Sequence, residues 1–402
     1  MIPIEGIIGY SFQQCQETRP FPCANCVGRN MTCEYPSKEQ PHSRSRRQEK
    51  EPSPTSLATT STLESDPLSS SMALGPLSST FPNTFTTDDM RFFHHFLVFA
   101  HPHLPFGSEE SWKTLLPVHA HECPHLMHAI LSLGATHLSS ITPDGAKYNA
   151  LASAYRGKAL RGLSKALDNG DKCNKVELDM LLATSYTLIF QARYMADGLV
   201  DFAVMIRGCE ILTWRILNKY RESDIFKLLS PEDTYTYVAP QIPLAPYSDP
   251  SALEVSINTL GHIRPLLRDN SHRITYQALL GSYKGMQLSI RHGFVAFTAI
   301  YDSWRVMDHE EFMAFLDPTN NVSQALLLHY IVLTMMLRPV FNQLSPPRVL
   351  RFPKETAAEH QWGCDIYKRL PSEMRLLVDW QAQFIALDKA LIENSQSSAV
   401  QG

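Results

Sequence analysis

The 402-residue sequence lacks the features that mark several large classes of protein. Its formal net charge is -4, so a basic protein that coats nucleic acid along its whole length is excluded. It contains no run of about 18 uncharged apolar residues, and we therefore expect no membrane span. The stretch from Met1 to Tyr10 lacks the positive segment and long apolar segment of a secretory signal, and we expect no export.

Catalytic and nucleotide-binding motifs are also missing. The sequence contains no GxxxxGK[ST], GxGxxG or GxSxG pattern. His121 and His125 satisfy the HExxH pattern of zinc proteases, but Pro124 lies between them and would interrupt the helix that this chemistry needs. The acidic pair at 88–89 does not extend to a magnesium-binding DDxxD, because Phe92 occupies the last position. We expect no enzyme activity.

The remaining composition is that of a globular protein, with 44% hydrophobic and 19% charged residues. From about Thr86 onward, apolar residues recur with a period of 3.6, and Thr86 and Asp89 have the spacing of a capping box. Clean two-residue alternation is rare. We predict one all-α domain over 86–402. Helices in its C-terminal half are predicted at 251–267, 273–301, 309–316, 322–342, 356–369 and 372–392.

Two further segments precede that domain. Residues 51–90 contain 22 Ser, Thr or Pro among 40 positions, so they have too little apolar surface to offset the entropy of ordering. We therefore predict a disordered linker over 36–85. Residues 1–35 form a separate segment that is distinguished by its cysteines.

Four of the eight cysteines fall within 19 residues, at Cys15, Cys23, Cys26 and Cys33. Four thiolates can enclose one zinc ion as a tetrahedron, and the Cys23-x2-Cys26 pair can chelate through a single turn. Such a short segment has almost no core, so the metal would supply its folding energy. The spacing predicts a zinc site made by these four residues. The alternative is a set of reduced thiols in a disordered tail.

The order of residues around these cysteines resembles the second half of the fungal binuclear zinc cluster, whose pattern is C-x2-C-x6-C-x(5–12)-C-x2-C-x(6–8)-C. Pro22 precedes the second cysteine here, and Tyr35 follows the last cysteine by two positions. The resemblance implies that the four cysteines are the third to sixth ligands of such a cluster. It also implies a DNA-binding segment that requires zinc.

The first two cysteines of that pattern are missing, and so is the basic helix that contacts bases in the major groove. Residues 6–14 contain no Cys, Lys or Arg. Two explanations are open. The one we favour is an incompletely predicted first exon or a shortened isoform, because the downstream half is intact. The other is a relative that no longer binds DNA. We expect the chain as given to bind DNA weakly.

The later part of the chain resembles the regulatory domain of fungal zinc-cluster factors of the sterol uptake control type. The segments that carry the resemblance are Phe93–Phe96, Trp112, Cys123–Leu138, Trp304 with Glu310–Phe312, and Ala325–Tyr330. The resemblance implies a helical domain that senses an apolar small molecule such as a sterol. On it we expect a cavity beside the helix at 322–342, with Met335 and Met336 as adaptable lining and His329 as a polar anchor. Filling of the core by the same residues is the alternative.

These observations together predict a nuclear, sequence-specific transcription regulator that works with the transcription machinery. Genes of sterol or secondary metabolism are its targets by analogy with relatives. The alternative is a helical ligand sensor or co-regulator that does not bind DNA and acts through protein partners.

A peptide of residues 10–40 should bind about one zinc ion, because four thiolates close one tetrahedron and leave none to share with a second ion. Metal analysis after gel filtration measures the ratio, and a peptide with all four cysteines changed to serine is the control. Two zinc ions per peptide, or none, would contradict the four-ligand site.

Overall fold

A computed structural model describes residues 85–103, 109–227, 229–344 and 354–400 of the chain. Within these ranges the backbone forms helices and turns and no strand, so the all-α prediction is confirmed. The predicted zinc ligands Cys15, Cys23, Cys26 and Cys33 lie outside the described residues. So does the predicted linker, apart from its last residue.

The first half of the described chain is built around one central helix, Pro124–Ile141. The helices are α1 (Thr87–His95), α2 (Leu116–Ala120), α3 (Pro124–Ile141), α4 (Asn149–Leu167), α5 (Lys175–Ala192) and α6 (Leu199–Tyr220). Wider π-type turns at Phe96–Ala100 and Ser111–Leu115 flank the connection between α1 and α2. Helix α3 packs against α1, α4 and α5, and α5 pairs with α6.

The second half surrounds a different helix, α11. After the short turns Pro231–Asp233, Thr234–Val238 and Ala239–Gln241, the helices are α7 (Pro250–Ile263), α8 (Asn270–Leu288), α9 (Ile290–Val306), α10 (His309–Leu316), α11 (Asn321–Leu344), α12 (Lys354–Arg369) and α13 (Ser372–Val400). These bounds lie close to the predicted ones, with one exception at 273–301.

Two local signals in the sequence determine where helices begin. The Thr86 hydroxyl oxygen accepts a hydrogen bond from the Asp89 amide, and the Asp89 carboxylate accepts one from the Thr86 amide, so the predicted capping box is confirmed. Asp89 is also buried and accepts a hydrogen bond from the Tyr155 hydroxyl, which gives the acidic pair a structural role. Pro124 is the first residue of α3, so His121 lies in the turn before the helix that contains His125, and the predicted interruption between the two histidines is confirmed.

The predicted helix 273–301 is wrong as a single element, because the chain breaks at Ser289. Its backbone is extended (φ -167°, ψ 159°), and its side chain accepts a hydrogen bond from the His292 amide at the start of α9. Helices α8 and α9 then pack closely at two glycines. A Cβ atom on Gly285 would lie 2.8 Å from the His292 carbonyl oxygen, and one on Gly293 would lie 3.0 Å from the Met286 backbone nitrogen. The helical spacing of apolar residues continues across Ser289, so the sequence pattern gave no sign of the break.

Helix α11 is buried on almost every side, as the sequence predicts. Its two methionines, Met335 and Met336, are 4% and 3% exposed, and His329 is fully buried. By length and hydropathy alone, this helix passes the test for a membrane-crossing segment. However, 78% of the tested stretch is buried inside the fold, which is how a core helix behaves.

A fully buried arginine, Arg207, joins the two halves. It extends from α6 and donates hydrogen bonds to the carbonyl oxygens of Trp304 (2.9 Å) and Met307 (2.6 Å) at the end of α9. Its guanidinium also lies 4.8 Å from the ring centre of Phe312. Carbonyl groups at a helix C-terminus lack partners within the helix and carry partial negative charge, so a cation there is stabilised. Burial lowers the pKa of Arg207 from its usual value.

Replacing Arg207 with Leu should lower the free energy of unfolding by roughly 2–4 kcal/mol, because two buried carbonyl oxygens lose their donors. Urea unfolding followed by circular dichroism measures the change. The control is Arg161→Leu, which removes an exposed arginine from α4. Equal midpoints for the two variants would contradict a joining role for Arg207.

Candidate functional site

The strongest candidate site in the described residues is a polar cluster inside the second half. His329 lies midway along α11, and Tyr283 from α8 and Gln381 from α13 approach it. All three side chains are fully buried. Tyr283 Oη donates to the main-chain carbonyl oxygen of His329 at 3.1 Å, and Gln381 Nε2 donates to Thr259 Oγ1 at 2.7 Å.

The ring of His329 has polar neighbours on its Nδ1 side. Nδ1 lies 3.5 Å from both Tyr283 Oη and Gln381 Nε2. In the tautomer in which Nδ1 accepts from the Gln381 amide, the proton is on Nε2. Nε2 of His329 and Oε1 of Gln381 are both buried and have no hydrogen-bond partner within the described part of the chain. In that tautomer the first is a donor and the second an acceptor.

Burial keeps this cluster uncharged. It lowers the pKa of His329 to about 3, and no charged neighbour contributes to that shift. It also raises the pKa of the Tyr283 hydroxyl well above its usual range, with a hydrogen bond from Ser256 opposing the effect in part. At neutral pH the site therefore presents only neutral donors and acceptors. Neutral polar groups in apolar surroundings suit an uncharged ligand rather than an ionic one.

Comparison with known proteins assigns the first half of the described chain. Residues 91–231 match the fungal specific transcription factor domain. The resemblance to regulatory domains of fungal transcription factors is thereby confirmed.

One curated relative is Sterol uptake control protein 2 from Saccharomyces cerevisiae. It is 33% identical over 113 residues, which is 27% of this chain and 12% of the relative. The chain therefore matches only a small part of the length of that relative. No solved structure matches the chain.

The fungal transcription factor domain and the polar cluster lie in different parts of the fold. The matched segment runs from α1 to the turn that begins at Pro231, whereas His329, Tyr283 and Gln381 all come later. Sequence reasoning found His329 but missed its two partners. These are about 50 residues away on either side, and no spacing in a single sequence reports that kind of contact.

The predicted ligand cavity stays a prediction. A surface cleft of about 310 Å³ lies beside α9 and is lined by Tyr235, Pro240, Arg291 and Val295 among others. None of its lining residues belongs to α11, so this cleft is not the cavity that we expected beside that helix.

The predicted cysteine site is likewise untested by the described residues. The four later cysteines, Cys123, Cys173, Cys209 and Cys364, are free thiols. Burial raises the pKa of the Cys209 thiol far above its usual value, so this residue is an unreactive core thiol.

The stability of the chain should fall as the pH drops below 6.5, in part because of His329. Its pKa is about 3 in the folded state against an ordinary value of 6.5, so below pH 6.5 the unfolded chain takes up a proton that the folded chain does not. Between these two pKa values only the unfolded chain binds the proton. In that pH range, replacing His329 with Gln should reduce the slope of the free energy of unfolding against pH by ~1.4 kcal/mol per pH unit.

Urea unfolding at a series of pH values measures this slope. Tyr283→Phe is the matched control, because it removes a hydrogen bond from the same cluster but no group that titrates in this range. It should lower stability by the same amount at every pH. A slope that is unchanged in His329→Gln would contradict the burial of a neutral imidazole.

Proposed function

We propose that this chain is a nuclear transcription regulator of the fungal zinc-cluster type. The fungal specific transcription factor domain at residues 91–231 is the observation that carries the proposal. In this proposal, residues 1–35 hold zinc through Cys15, Cys23, Cys26 and Cys33 and contribute to DNA contact in the full-length form, whereas the chain as given binds DNA weakly. Residues 36–85 are a disordered linker, and residues 86–402 are a helical regulatory domain that acts on the transcription machinery.

The regulatory domain, in this proposal, senses an apolar small molecule that carries a hydroxyl group, such as a sterol. Support comes from Nε2 of His329 and Oε1 of Gln381, which are buried and have no partner in the described part of the chain, so that each could pair with a polar group of a ligand. Met335 and Met336 lie in the same helix and give it side chains that adapt to an irregular ligand. The curated relative is named for control of sterol uptake, which points to the same ligand class.

A second candidate function is that of a co-regulator that acts through protein partners without binding DNA. Residues 6–14 favour it, because they contain no Lys or Arg to contact phosphates and no Cys to complete the cluster. Both candidates use the same regulatory domain. They differ only in how the chain reaches a promoter.

A reporter assay tests the proposal. Fusing the full chain to an independent DNA-binding module should change transcription from a promoter that carries the module's site, relative to the module alone. If the domain senses a sterol, depletion of cellular sterol should alter that output, and His329→Gln should reduce the response. A fusion that is nuclear and abundant but leaves transcription unchanged would contradict a role in transcription.

The chain without the fused module separates the two candidate functions. By itself, the chain as given should not activate or repress a promoter through direct DNA contact. Recovery of the chain with a promoter through a second protein would favour the co-regulator. Selective binding of purified chain to one DNA sequence would favour the zinc-cluster regulator.

A further inference from the structure

Three metal-binding side chains meet near the start of the fungal transcription factor domain. His101 and His103 follow the turn Phe96–Ala100, and Glu109 begins the next helical stretch. One ligand atom from each residue lies within 4.8 Å of the other two. We propose that His101, His103 and Glu109 form a binding site for one divalent transition-metal ion of the zinc type, separate from the cysteine segment.

The ring of His101 places Nε2 toward Glu109. Its Nδ1 atom lies 3.3 Å from the carbonyl oxygen of Phe96, and in the tautomer that donates there the lone pair is on Nε2. Nε2 lies 3.6 Å from Glu109 Oε1, so a metal ion at this position would replace a proton between the two atoms. A histidine that binds a metal through one nitrogen commonly donates its other N–H to a carbonyl or a carboxylate. The side chain is only 2% exposed, so neighbouring groups hold it in place.

The spacing of the three groups suits a small ion. Ligands about 2.0–2.2 Å from a tetrahedral zinc ion lie roughly 3.4 Å from one another. The separation between His101 and Glu109 is within a few tenths of an ångström of that value. His103 and Glu109 are only half-buried, and rotation of their side chains would have to close the remaining distances.

The donor set selects the class of ion. Two imidazoles and one carboxylate suit Zn²⁺ and its neighbours in the transition series, whereas Mg²⁺ and Ca²⁺ prefer oxygen ligands alone. Three protein ligands leave a fourth position open for water or another group. Lys113 opposes the ion, because its ammonium pairs with the same Oε1 atom of Glu109.

A bound ion would join two parts of the chain. It would connect residues 101–103, after α1, to residue 109, before α2. Because these residues all lie within the matched segment 91–231, metal binding would stabilise the fungal transcription factor domain directly. Neither the cysteines nor the cluster around His329 takes part.

The test uses the full chain with Cys15, Cys23, Cys26 and Cys33 changed to serine, so that the cysteine segment cannot bind metal. Titration with Co²⁺ should saturate at one ion per chain and give visible ligand-field absorption without sulfur-to-cobalt charge transfer. Zn²⁺ should displace the Co²⁺ and raise the melting temperature. In that background, His103→Ala and Glu109→Gln should each weaken Co²⁺ binding by at least about tenfold.

Lys113→Gln is the matched control, since it keeps all three ligands and removes the competing ammonium. It should bind Co²⁺ more tightly than its parent. Melting temperatures measured without metal show that His103→Ala and Glu109→Gln remain folded. The proposal is overturned if the parent binds no Co²⁺, if the spectrum shows sulfur ligation, or if these two folded variants bind Co²⁺ as tightly as the parent.

Discussion

Helix α11 imposes the main constraint on the second half of the fold, because it has almost no polar face to leave in water. A helix that is apolar around its circumference must be enclosed by other elements. Helices α7, α8, α9, α12 and α13 all pack against it. The polar side chains that α11 does contain are therefore forced to find partners inside the protein. Several of those partners come from the surrounding helices: Tyr283 of α8 donates to the His329 carbonyl oxygen, and Arg338 donates to Asp388 of α13. Directional bonds of this kind make the enclosure specific.

The limits of the fungal transcription factor domain are not limits of the fold. The matched residues end at 231, yet side chains on both sides of that point hold the two halves together. Trp362 donates to the Met195 carbonyl oxygen at 2.9 Å, and Arg193 pairs with Glu359 at 3.0 Å. Arg207 makes the third link. A change of packing around α11 therefore has direct physical routes into the segment that defines the family.

Much of the fold could be predicted from the sequence, because the signals that determine it are local. The capping box at Thr86 and the helix start at Pro124 each depend on residues within one turn. The burial of α11 follows from its composition. The break at Ser289 was missed because apolar residues continue through it. Its structural role, which is to let α8 and α9 pack closely at Gly285 and Gly293, is visible only in the folded chain.

The candidate sites were less accessible to sequence reasoning. The cluster at His329 depends on side chains from three helices far apart in the chain. The group at His101, His103 and Glu109 was missed because it lies in a connection, where no helical spacing draws attention to histidines. An HExxH match nearby was the more visible pattern. Prediction therefore succeeded where a local motif determines the structure, and it failed both for contacts between distant helices and for a connection that has no regular spacing.

The hydrogen bonds of Arg207 have a consequence for the conditions under which the halves stay joined. Its acceptors are carbonyl oxygens, which do not take up protons in acid and have no counterion to exchange. At 0.1 M ionic strength, salt largely screens exposed charges that are more than about 10 Å apart and weakens closer exposed pairs in part, but it acts much less on buried groups. Surface ion pairs on this protein will weaken as ionic strength rises, whereas the link between α6 and α9 will not. The protein can therefore exchange its surface contacts with charged partners without loosening the joint at its centre.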